Sequence, residues 1–281
     1  MFDLRANDPI PPFLRWAGGK QHLLARMARF LPNDVRERRY FEPFAGAASM
    51  FLAVKPKIGN LSDANERLIS CFTQVRDNPD LVAHYLLEHA RQNSERYYYE
   101  VRDRFNRSKD SPAQAARFIY LNKACFNGIF RVNQAGLFNV PYGHKEPPAL
   151  PTRADLRRAS RALAGVALTI AVFAEALADA DEGDFVYLDP PYPPLNGTSY
   201  FTHYTANRFD WDDHAELADL FLELSDRGCL VMMSNADLPR IRGIIAGYPI
   251  HDLDVTRFIT CRTVKHKVRE IVVTNYDPLE V

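Results

Sequence analysis

The chain has 281 residues, of which 47% are hydrophobic and 25% charged, as in ordinary globular proteins. Its 35 Lys and Arg residues balance 35 Asp and Glu residues, which excludes a histone-like polycation but not a local basic surface. The sequence has no apolar stretch near the roughly 20 residues of a membrane span, no secretory signal pattern at its start, and four distant cysteines that predict neither a zinc site nor a disulfide framework. We therefore expect a cytoplasmic protein with no membrane partner and no bound metal.

The predicted elements in the first quarter of the chain alternate between helix and strand. In chain order they are a glycine turn and helix within 13–31, a strand at 40–44, a helix from Gly46, a strand at 58–61 ending in Ser62-Asp63, and a helix at 66–76. Strands that alternate with helices predict parallel βα units.

Residues 78–150 have a different character. They are helical at first and rich in Arg and Tyr, and they end in a polar loop at 122–144. The alternation then resumes, with a helix at 154–163, strands at 167–171, 185–188 and 230–233, helices at 211–226 and 237–246, and two antiparallel strands near 255–259 and 270–274. The sequence thus predicts a doubly wound α/β sheet, formed by 1–77 and 151–281, with 78–150 as an insertion.

The strongest chemical signal is the tetrad Asp189-Pro190-Pro191-Tyr192, which directly follows the apolar strand Phe185 to Leu188. The carboxyl ends of strands in open α/β sheets are where ligands bind. A carboxylate, a carbonyl fixed by proline and a tyrosine ring together suit a flat heterocycle with an exocyclic amino group. The alternative is a proline turn with a capping Asp, which we consider the weaker interpretation in this context.

A second signal is the small-residue turn that follows the strand at 40–44. Gly46 and its alanine neighbours let a ligand approach the backbone, and the next helix offers free N–H groups. The turn lacks both the Walker and the dinucleotide-binding glycine patterns. Asp63 ends the next strand, where a carboxylate can bind ribose hydroxyls, although it is also placed to cap the helix that follows.

The third signal is Arg15-Trp16-Ala17-Gly18-Gly19-Lys20. Its glycine pair permits an unusual turn, Lys20 could bind a carboxylate, and Trp16 could cover an aromatic or apolar group. A surface turn with an extended lysine is the alternative.

Taken together, these segments resemble the Dam-type DNA adenine methyltransferases, which methylate the N6 amino group of adenine. The resemblance covers nearly the whole chain and keeps the order of the motifs. The segments that carry it are Arg15 to Lys20, Phe41 to Gly46, Asp63-Ala64-Asn65, Asn122 to Gly128, Phe138 to Gly143 and Asp189 to Tyr192.

The resemblance implies a Rossmann-like methyltransferase core, with S-adenosylmethionine as cofactor, and an inserted, mainly helical target-recognition domain at 78–150. Asp189, Pro190 and Tyr192 would be catalytic. The expected cofactor-binding residues are Trp16, Lys20, Phe44, Gly46, Asp63 and Asp189. The sequence departs from the family's glycine-rich turn at Ala48, whose methyl group could narrow the cofactor pocket.

The expected reaction places the adenine nitrogen in line with the methyl group. Asp189 and the Pro190 carbonyl would accept hydrogen bonds from its two N–H groups, and Tyr192 would stack on the base. Because the nitrogen is inaccessible inside a duplex, the adenine would have to be flipped out.

Double-stranded DNA is the expected partner, and two basic regions could contact its phosphates. One spans 91–131 and has nine basic and four acidic residues, and the other spans 255–269 and has five basic and no acidic residues. The resemblance assigns the reading of GATC to the loop 122–142, in which the candidates for DNA contact are Lys123, Phe126, Asn127, Arg131 and Asn133.

Other readings stay open at this point. The tetrad alone would also suit a methyltransferase acting on cytosine N4, RNA or protein glutamine, and the chain could be an inactive DNA-binding relative. A restriction endonuclease acting on the same site is a candidate partner, and we expect a monomer.

Overall fold

The computed structural model describes residues 2–4, 7–144, 148–193, 209–261 and 264–281, without the side chains of 254–261 and 264–268. Its strands are β1 (Arg39–Glu42), β2 (Ile58–Asp63), β3 (Val166–Ile170), β4 (Phe185–Leu188), β5 (Leu230–Ala236), β6 (Ile250–Cys261) and β7 (Val264–Thr274). Its α-helices are α1 (Leu24–Met27), α2 (Ser49–Val54), α3 (Glu66–Asp77), α4 (Pro79–Gln92), α5 (Glu95–Arg107), α6 (Pro112–Ala124), α7 (Arg153–Leu163), α8 (Phe173–Ala176), α9 (Trp211–Asp226) and α10 (Pro239–Ile244).

The strands form one sheet in the order β3-β2-β1-β4-β5-β7-β6. The first five strands of this order are parallel, and β7 is antiparallel to both of its neighbours. The strand order reverses between β1 and β4, and ligands bind in open α/β sheets at the carboxyl ends of strands beside such a reversal. This topology confirms the predicted Rossmann-like α/β core.

The central strands are buried on both faces, because successive side chains point to opposite sides of a sheet. Tyr40, Phe185 and Tyr187 face one hydrophobic core, whereas Phe41 and Val186 face the other. The sheet is therefore covered on both sides, as expected for parallel strands.

Helices α3 to α7 occupy the chain between β2 and β3, and several begin at a side-chain cap. Asn65, Ser94, Ser111 and Thr152 each accept a hydrogen bond from a main-chain N–H in the first turn of the helix that follows. Such caps stabilise a helix start by about 1 kcal/mol. Helix α6 packs against α3, α4 and α5. The helical character predicted for this stretch is thus observed, and a separate recognition domain at 78–150 stays a prediction.

Some predicted bounds were wrong. The first helix shrinks to the single turn α1 followed by a 3-10 turn at 28–30, and β1 ends at Glu42 because Pro43 has no N–H to donate to a neighbouring strand. Strands β6 and β7 extend well beyond the apolar runs that predicted them, because their polar ends pair with each other past a register shift after Leu253. In the part of the chain that the structure describes, no helix combines the length and hydrophobicity needed to cross a membrane.

Candidate active site

The tetrad lies at the carboxyl end of β4, next to the turn that follows β1. Pro190 is buried, whereas Asp189 is half-buried, with 18% of its side chain exposed. Oδ1 of Asp189 accepts hydrogen bonds from Nζ of Lys20 and, at 2.8 Å, from Oγ of Ser234. Oδ2 has no hydrogen-bond partner among the described residues. The carboxylate is therefore held through one oxygen and can accept a ligand's donor at the other.

Lys20 is almost completely buried, and its ammonium group makes three contacts. Besides Asp189, it donates to the carbonyl of Gly18 at 3.1 Å and lies 4.5 Å from the centroid of the Tyr192 ring. A cation at this distance attracts the face of an aromatic ring. The predicted affinity of Lys20 for a carboxylate is met within the protein by Asp189, and its role toward a cofactor stays a prediction.

Tyr192 is half-buried and is held at its hydroxyl group as well. The hydroxyl donates to Oε2 of Glu270 at 2.9 Å, and Glu270 is completely buried on β7. The ring is thus fixed by a cation at its face and by a carboxylate at its far end.

His214 of α9 supports the tetrad from behind. Its buried ring hydrogen-bonds the backbone of Pro191, whose carbonyl is the only main-chain group there that can accept, so the imidazole is the donor. Burial lowers the pKa of His214 to about 4, so the ring is neutral at physiological pH. Its Nε2 atom has no hydrogen-bond partner among the described residues.

Gly46 brings Trp16 and Asp63 together. Its φ of +47° suits glycine, and a Cβ atom at this position would lie 2.7 Å from Cδ1 of Trp16. Its N–H donates to Oδ2 of Asp63 at 3.1 Å. The absent side chain lets the Trp16 indole pack directly against the Gly46 backbone, and Asp63 supplies a carboxylate that suits ribose hydroxyls.

The structure excludes one of the two interpretations of Asp63, and its binding of ribose hydroxyls stays a prediction. The residue that caps α3 is Asn65, whose side chain accepts from the N–H of Leu68 at 3.2 Å. Asp63 instead accepts from the N–H groups of Asn65 and Gly46, so it joins the ends of β1 and β2. Burial raises the pKa of Asp63 to about 6. The N-cap interpretation is therefore wrong.

The remaining predicted cofactor residues have aromatic or apolar surroundings. Trp16 stacks on Phe130 with ring centroids 5.7 Å apart, and Phe44 stacks on Phe173 at 5.5 Å. Ala48 adopts a left-handed conformation with φ of +51° and is completely buried among the side chains of the first core. The Trp16 indole, packed against the Gly46 turn, and the Asp63 carboxylate together fit a nucleoside-containing cofactor.

The loop at 122–144 contains the predicted DNA contacts, and two of them, Arg131 and Asn133, lie on a short hairpin. Val132 and Phe138 form an isolated antiparallel bridge, and Oδ1 of Asn133 accepts from two N–H groups of the turn between them. Arg131 is exposed, and its Nε donates to Oδ1 of Asn139 at 2.8 Å. The structure therefore uses the carbonyl oxygen of Asn133 inside the turn and leaves its amide nitrogen for other contacts.

Phe126 and Asn127 lie at the start of this loop and are exposed, with 53% of Phe126 accessible. Asn127 has a φ of +54°, and Lys123 is half-buried at the end of α6. Asn122, which sequence reasoning assigned no role, donates to the carbonyl of Arg15 at 2.7 Å and accepts from its N–H at 2.8 Å. The end of α6, from which the loop continues, is thereby joined to Arg15, directly before the Trp16–Lys20 turn of the candidate active site.

The two basic regions differ in what the structure describes. The side chains of Arg91, Arg96, Arg104 and Arg107 are exposed on the helices between β2 and β3. In the second region, Arg262 lies outside the described residues, as do the side chains of Arg257, Lys265 and Lys267.

Sequence reasoning missed Ser234, Glu270 and His214. Each is a buried polar residue next to an otherwise apolar strand or helix face. Ser234 follows the apolar run of β5, so its position near the carboxyl end of a neighbouring strand was the one signal that could have found it.

Comparison with known proteins gives the family. Residues 16–259 match the model of the D12 class of N6 adenine-specific DNA methyltransferases, which depend on S-adenosylmethionine. The chain is 36% identical to the type II methyltransferase M1.LlaDCHI of Lactococcus lactis, over 95% of the chain and 96% of that protein. It is 35% identical to the type II methyltransferase M.MjaIII of Methanocaldococcus jannaschii, over 95% and 99% of the two chains. It is 34% identical to the DNA adenine methylase of Escherichia coli K12, over 95% of each chain. The chain therefore belongs to the D12 class of N6 adenine-specific DNA methyltransferases.

Proposed function

We propose that this enzyme transfers the methyl group of S-adenosylmethionine to N6 of adenine within GATC in duplex DNA, after flipping the adenine out of the helix. The observation that carries the proposal is the hydrogen bonding of the two carboxylate oxygens of Asp189. Lys20 and Ser234 hold its Oδ1 atom, whereas Oδ2 has no partner in the described part of the chain. An oriented carboxylate with one oxygen available is what an incoming amino group requires.

We assign the cofactor to the edge of the sheet at the ends of β1 and β2. Trp16 would cover its adenine, Gly46 would let it approach the backbone, and Asp63 would accept its ribose hydroxyls. Phe44, Lys20 and Asp189 complete the set carried over from the family. When bound, S-adenosylmethionine supplies a methyl carbon that its sulfonium sulfur already activates.

The tetrad would prepare the target nitrogen for attack. The lone pair of an adenine amino group is delocalised into the ring, so the nitrogen becomes nucleophilic only as it turns pyramidal. Oδ2 of Asp189 and the carbonyl of Pro190 would accept hydrogen bonds from its two N–H groups and stabilise the positive charge that develops on nitrogen. The carbonyl is rigid because prolines fix the backbone on both sides of it.

Base flipping costs a few kcal/mol. Stacking of the purine on Tyr192 returns about 1–3 kcal/mol, and the exposed Phe126 side chain would fill the space that the base leaves in the duplex. The two contributions together offset a good part of the cost.

The target would be read by the loop 122–142 of the proposed recognition domain at 78–150. Arg131 can contact a guanine edge with two hydrogen bonds, and Lys123, Asn127 and Asn133 would contact phosphates or bases near it. Two of the relatives are named type II methyltransferases, so a restriction endonuclease of the same specificity is the partner that we propose. We place the enzyme in the cytoplasm as a monomer.

The test is tritium transfer from labelled S-adenosylmethionine to duplex oligonucleotides that contain GATC or one changed base of it. Digestion to nucleosides separates N6-methyladenine from N4-methylcytosine. We expect N6-methyladenine only, and only from intact GATC. Asp189→Ala should bind DNA as well as the wild type does while losing methyl transfer, and normal turnover by this variant would refute the assignment.

A further inference from the structure

We propose that Glu270 is a positioning residue that holds the Tyr192 ring in place for the target base. The inference rests on the proposed function, in which Tyr192 stacks on the flipped adenine. It adds a residue outside the matched family segment, which ends at residue 259.

The contact joins distant parts of the sheet. Tyr192 follows β4, whereas Glu270 lies on β7, paired with Ala236 of β5 and with Leu253 of β6. Because β5 lies between β4 and β7, the 2.9 Å hydrogen bond from the Tyr192 hydroxyl crosses the end of β5. The Tyr192 side chain, which follows β4 in a loop, is thus fixed to a completely buried residue that is paired with strands on both sides.

The other residues of the tetrad have restraints of their own. Prolines fix the main chain at 190 and 191, the His214 ring holds the Pro191 backbone, and Lys20 and Ser234 hold Asp189. These contacts do not fix the two side-chain torsions of Tyr192, which set the orientation of its ring. The Lys20 ammonium restrains the ring at its face, and Glu270 restrains it at its hydroxyl.

This restraint matters for methyl transfer because the ring would set the plane of the base. A tilt of the ring moves the adenine nitrogen out of line with the methyl carbon, and a displacement of about 1 Å can lower a rate about 100-fold. Glu270 would touch neither base nor cofactor, and would act only through Tyr192.

The experiment compares Glu270→Ala, Glu270→Gln, Tyr192→Phe and the Glu270→Ala/Tyr192→Phe double variant. We measure kcat, KM for DNA and for S-adenosylmethionine, and melting temperature. We also measure the fluorescence of 2-aminopurine placed at the target adenine, which reports stacking of the flipped base.

We expect Glu270→Ala to lower kcat about 10–100-fold, with both KM values changed less than about threefold. Its 2-aminopurine fluorescence should exceed that of the wild type, because the flipped base loses a fixed stacking partner. Glu270→Gln should retain most of the activity, because an amide oxygen still accepts from the hydroxyl. The double variant should be no slower than Tyr192→Phe, because both changes remove the same bond.

The matched control is Tyr40→Phe. Tyr40 also donates to a buried glutamate, Glu42, at 2.7 Å, but in the core. We expect Tyr40→Phe to lower the melting temperature, but not to cause the selective loss of kcat or the rise in 2-aminopurine fluorescence expected for Glu270→Ala.

Four outcomes would overturn the inference. One is a Glu270→Ala enzyme with kcat and fluorescence equal to those of the wild type. Another is a double variant in which the two losses multiply. If Glu270→Ala fails to fold, Tyr192→Phe removes the same bond from the other side, and wild-type kcat and fluorescence in that variant also refute it. A wild-type enzyme that methylates adenine with no fluorescence change would instead refute base flipping, and with it this role of Glu270.

Discussion

Ser234 donates a hydrogen bond to Oδ1 of Asp189 at 2.8 Å, and the two residues lie at the ends of the adjacent parallel strands β4 and β5. The Ser234 hydroxyl also lies 3.0 Å from the hydroxyl of Tyr187, inside the first core. The Asp189 carboxylate is therefore oriented by a chain of buried hydroxyls within the sheet, and not only by the Lys20 cation.

Removing this hydroxyl should loosen Asp189 without removing its charge. We expect Ser234→Ala to lower kcat about tenfold, which corresponds to about 1.4 kcal/mol in the transition state, while the affinities for DNA and cofactor stay within about twofold. Ser160→Ala is the control. The Ser160 hydroxyl also donates to a protein acceptor, the carbonyl of Arg76, at 2.6 Å, but it lies on α7 and, among the described residues, makes no contact with the tetrad. Equal kcat for the two variants would show that Ser234 does not orient Asp189.

Gly46 offers a test of the proposed cofactor pocket. Gly46→Ala adds a methyl group 2.7 Å from the Trp16 indole at a φ of +47°, so both strain and a clash are expected. Gly165→Ala is a matched control, because Gly165 has a φ of +78° but nothing within 4 Å of the new carbon. Left-handed strain costs about 1–2 kcal/mol in either variant.

The clash should separate the two variants. We expect both to lose stability in urea unfolding, and only Gly46→Ala to lose at least about tenfold in affinity for S-adenosylmethionine by calorimetry, since displacement of Trp16 changes the pocket itself. A Gly46→Ala enzyme that binds the cofactor as tightly as Gly165→Ala does would place the cofactor elsewhere.

The sequence was sufficient to predict the sheet and the position of the tetrad. Residues 185–188 are an unbroken apolar run, and the Asp189-Pro190-Pro191-Tyr192 tetrad follows it directly, so both the strand and the edge at which Asp189 lies follow from local pattern. The turn at Gly46 was predicted for the same reason.

The supporting contacts were not predictable in this way. Glu270 is 78 residues from Tyr192 in sequence, and its glutamate side chain would normally predict an exposed position on a strand. Whether Asp63 caps α3 likewise depends on a contact between two strands, because the N–H of Gly46, which follows β1, donates to Asp63 at the end of β2. Such pairings are set by the strand order, which local periodicity does not specify.

Arg131 tests the proposed reading of the target. Its Nε donates to Asn139, which orients the guanidinium and leaves its terminal N–H groups for a base edge. A good bidentate contact is worth about 1–3 kcal/mol of discrimination, so we expect Arg131→Ala to lose about 5–150-fold of its preference for GATC over sequences with a changed guanine, measured as kcat/KM.

Arg96→Ala is the control for this prediction. Arg96 is also an exposed arginine, with 91% of its side chain accessible, and it pairs with Glu100 on the outer face of α5. Any effect of this variant on DNA binding should be the same for all sequences and should weaken with salt. Full discrimination by Arg131→Ala would mean that another part of the loop reads the guanine.

Glu42 gives a prediction about stability and pH. It is buried at the end of β1, where Oε2 accepts from the Tyr40 hydroxyl at 2.7 Å and from the N–H of Phe51 at 3.1 Å. Burial, with a further contribution from the negative charge of Asp189, raises the pKa of Glu42 from 4.5 to about 8. The folded protein therefore binds one more proton than the unfolded chain between these two values, and stability must fall as pH rises through that window. The stability that protonated Glu42 contributes is fully present below pH 4.5 and is lost as pH rises through 8.

Glu42→Gln should remove this dependence, because the amide oxygen still accepts both hydrogen bonds and cannot ionise. We expect the free energy of unfolding of the variant, relative to the wild type, to increase between pH 5 and pH 9 by a few kcal/mol, since a change of one in a pKa corresponds to about 1.4 kcal/mol. Urea titrations at pH 5, 7 and 9 measure it. The exposed Glu216→Gln should leave the difference from wild type constant with pH. If Glu42→Gln behaves in the same way, Glu42 is ionised in the folded protein throughout this range, and its charge must be balanced within the core.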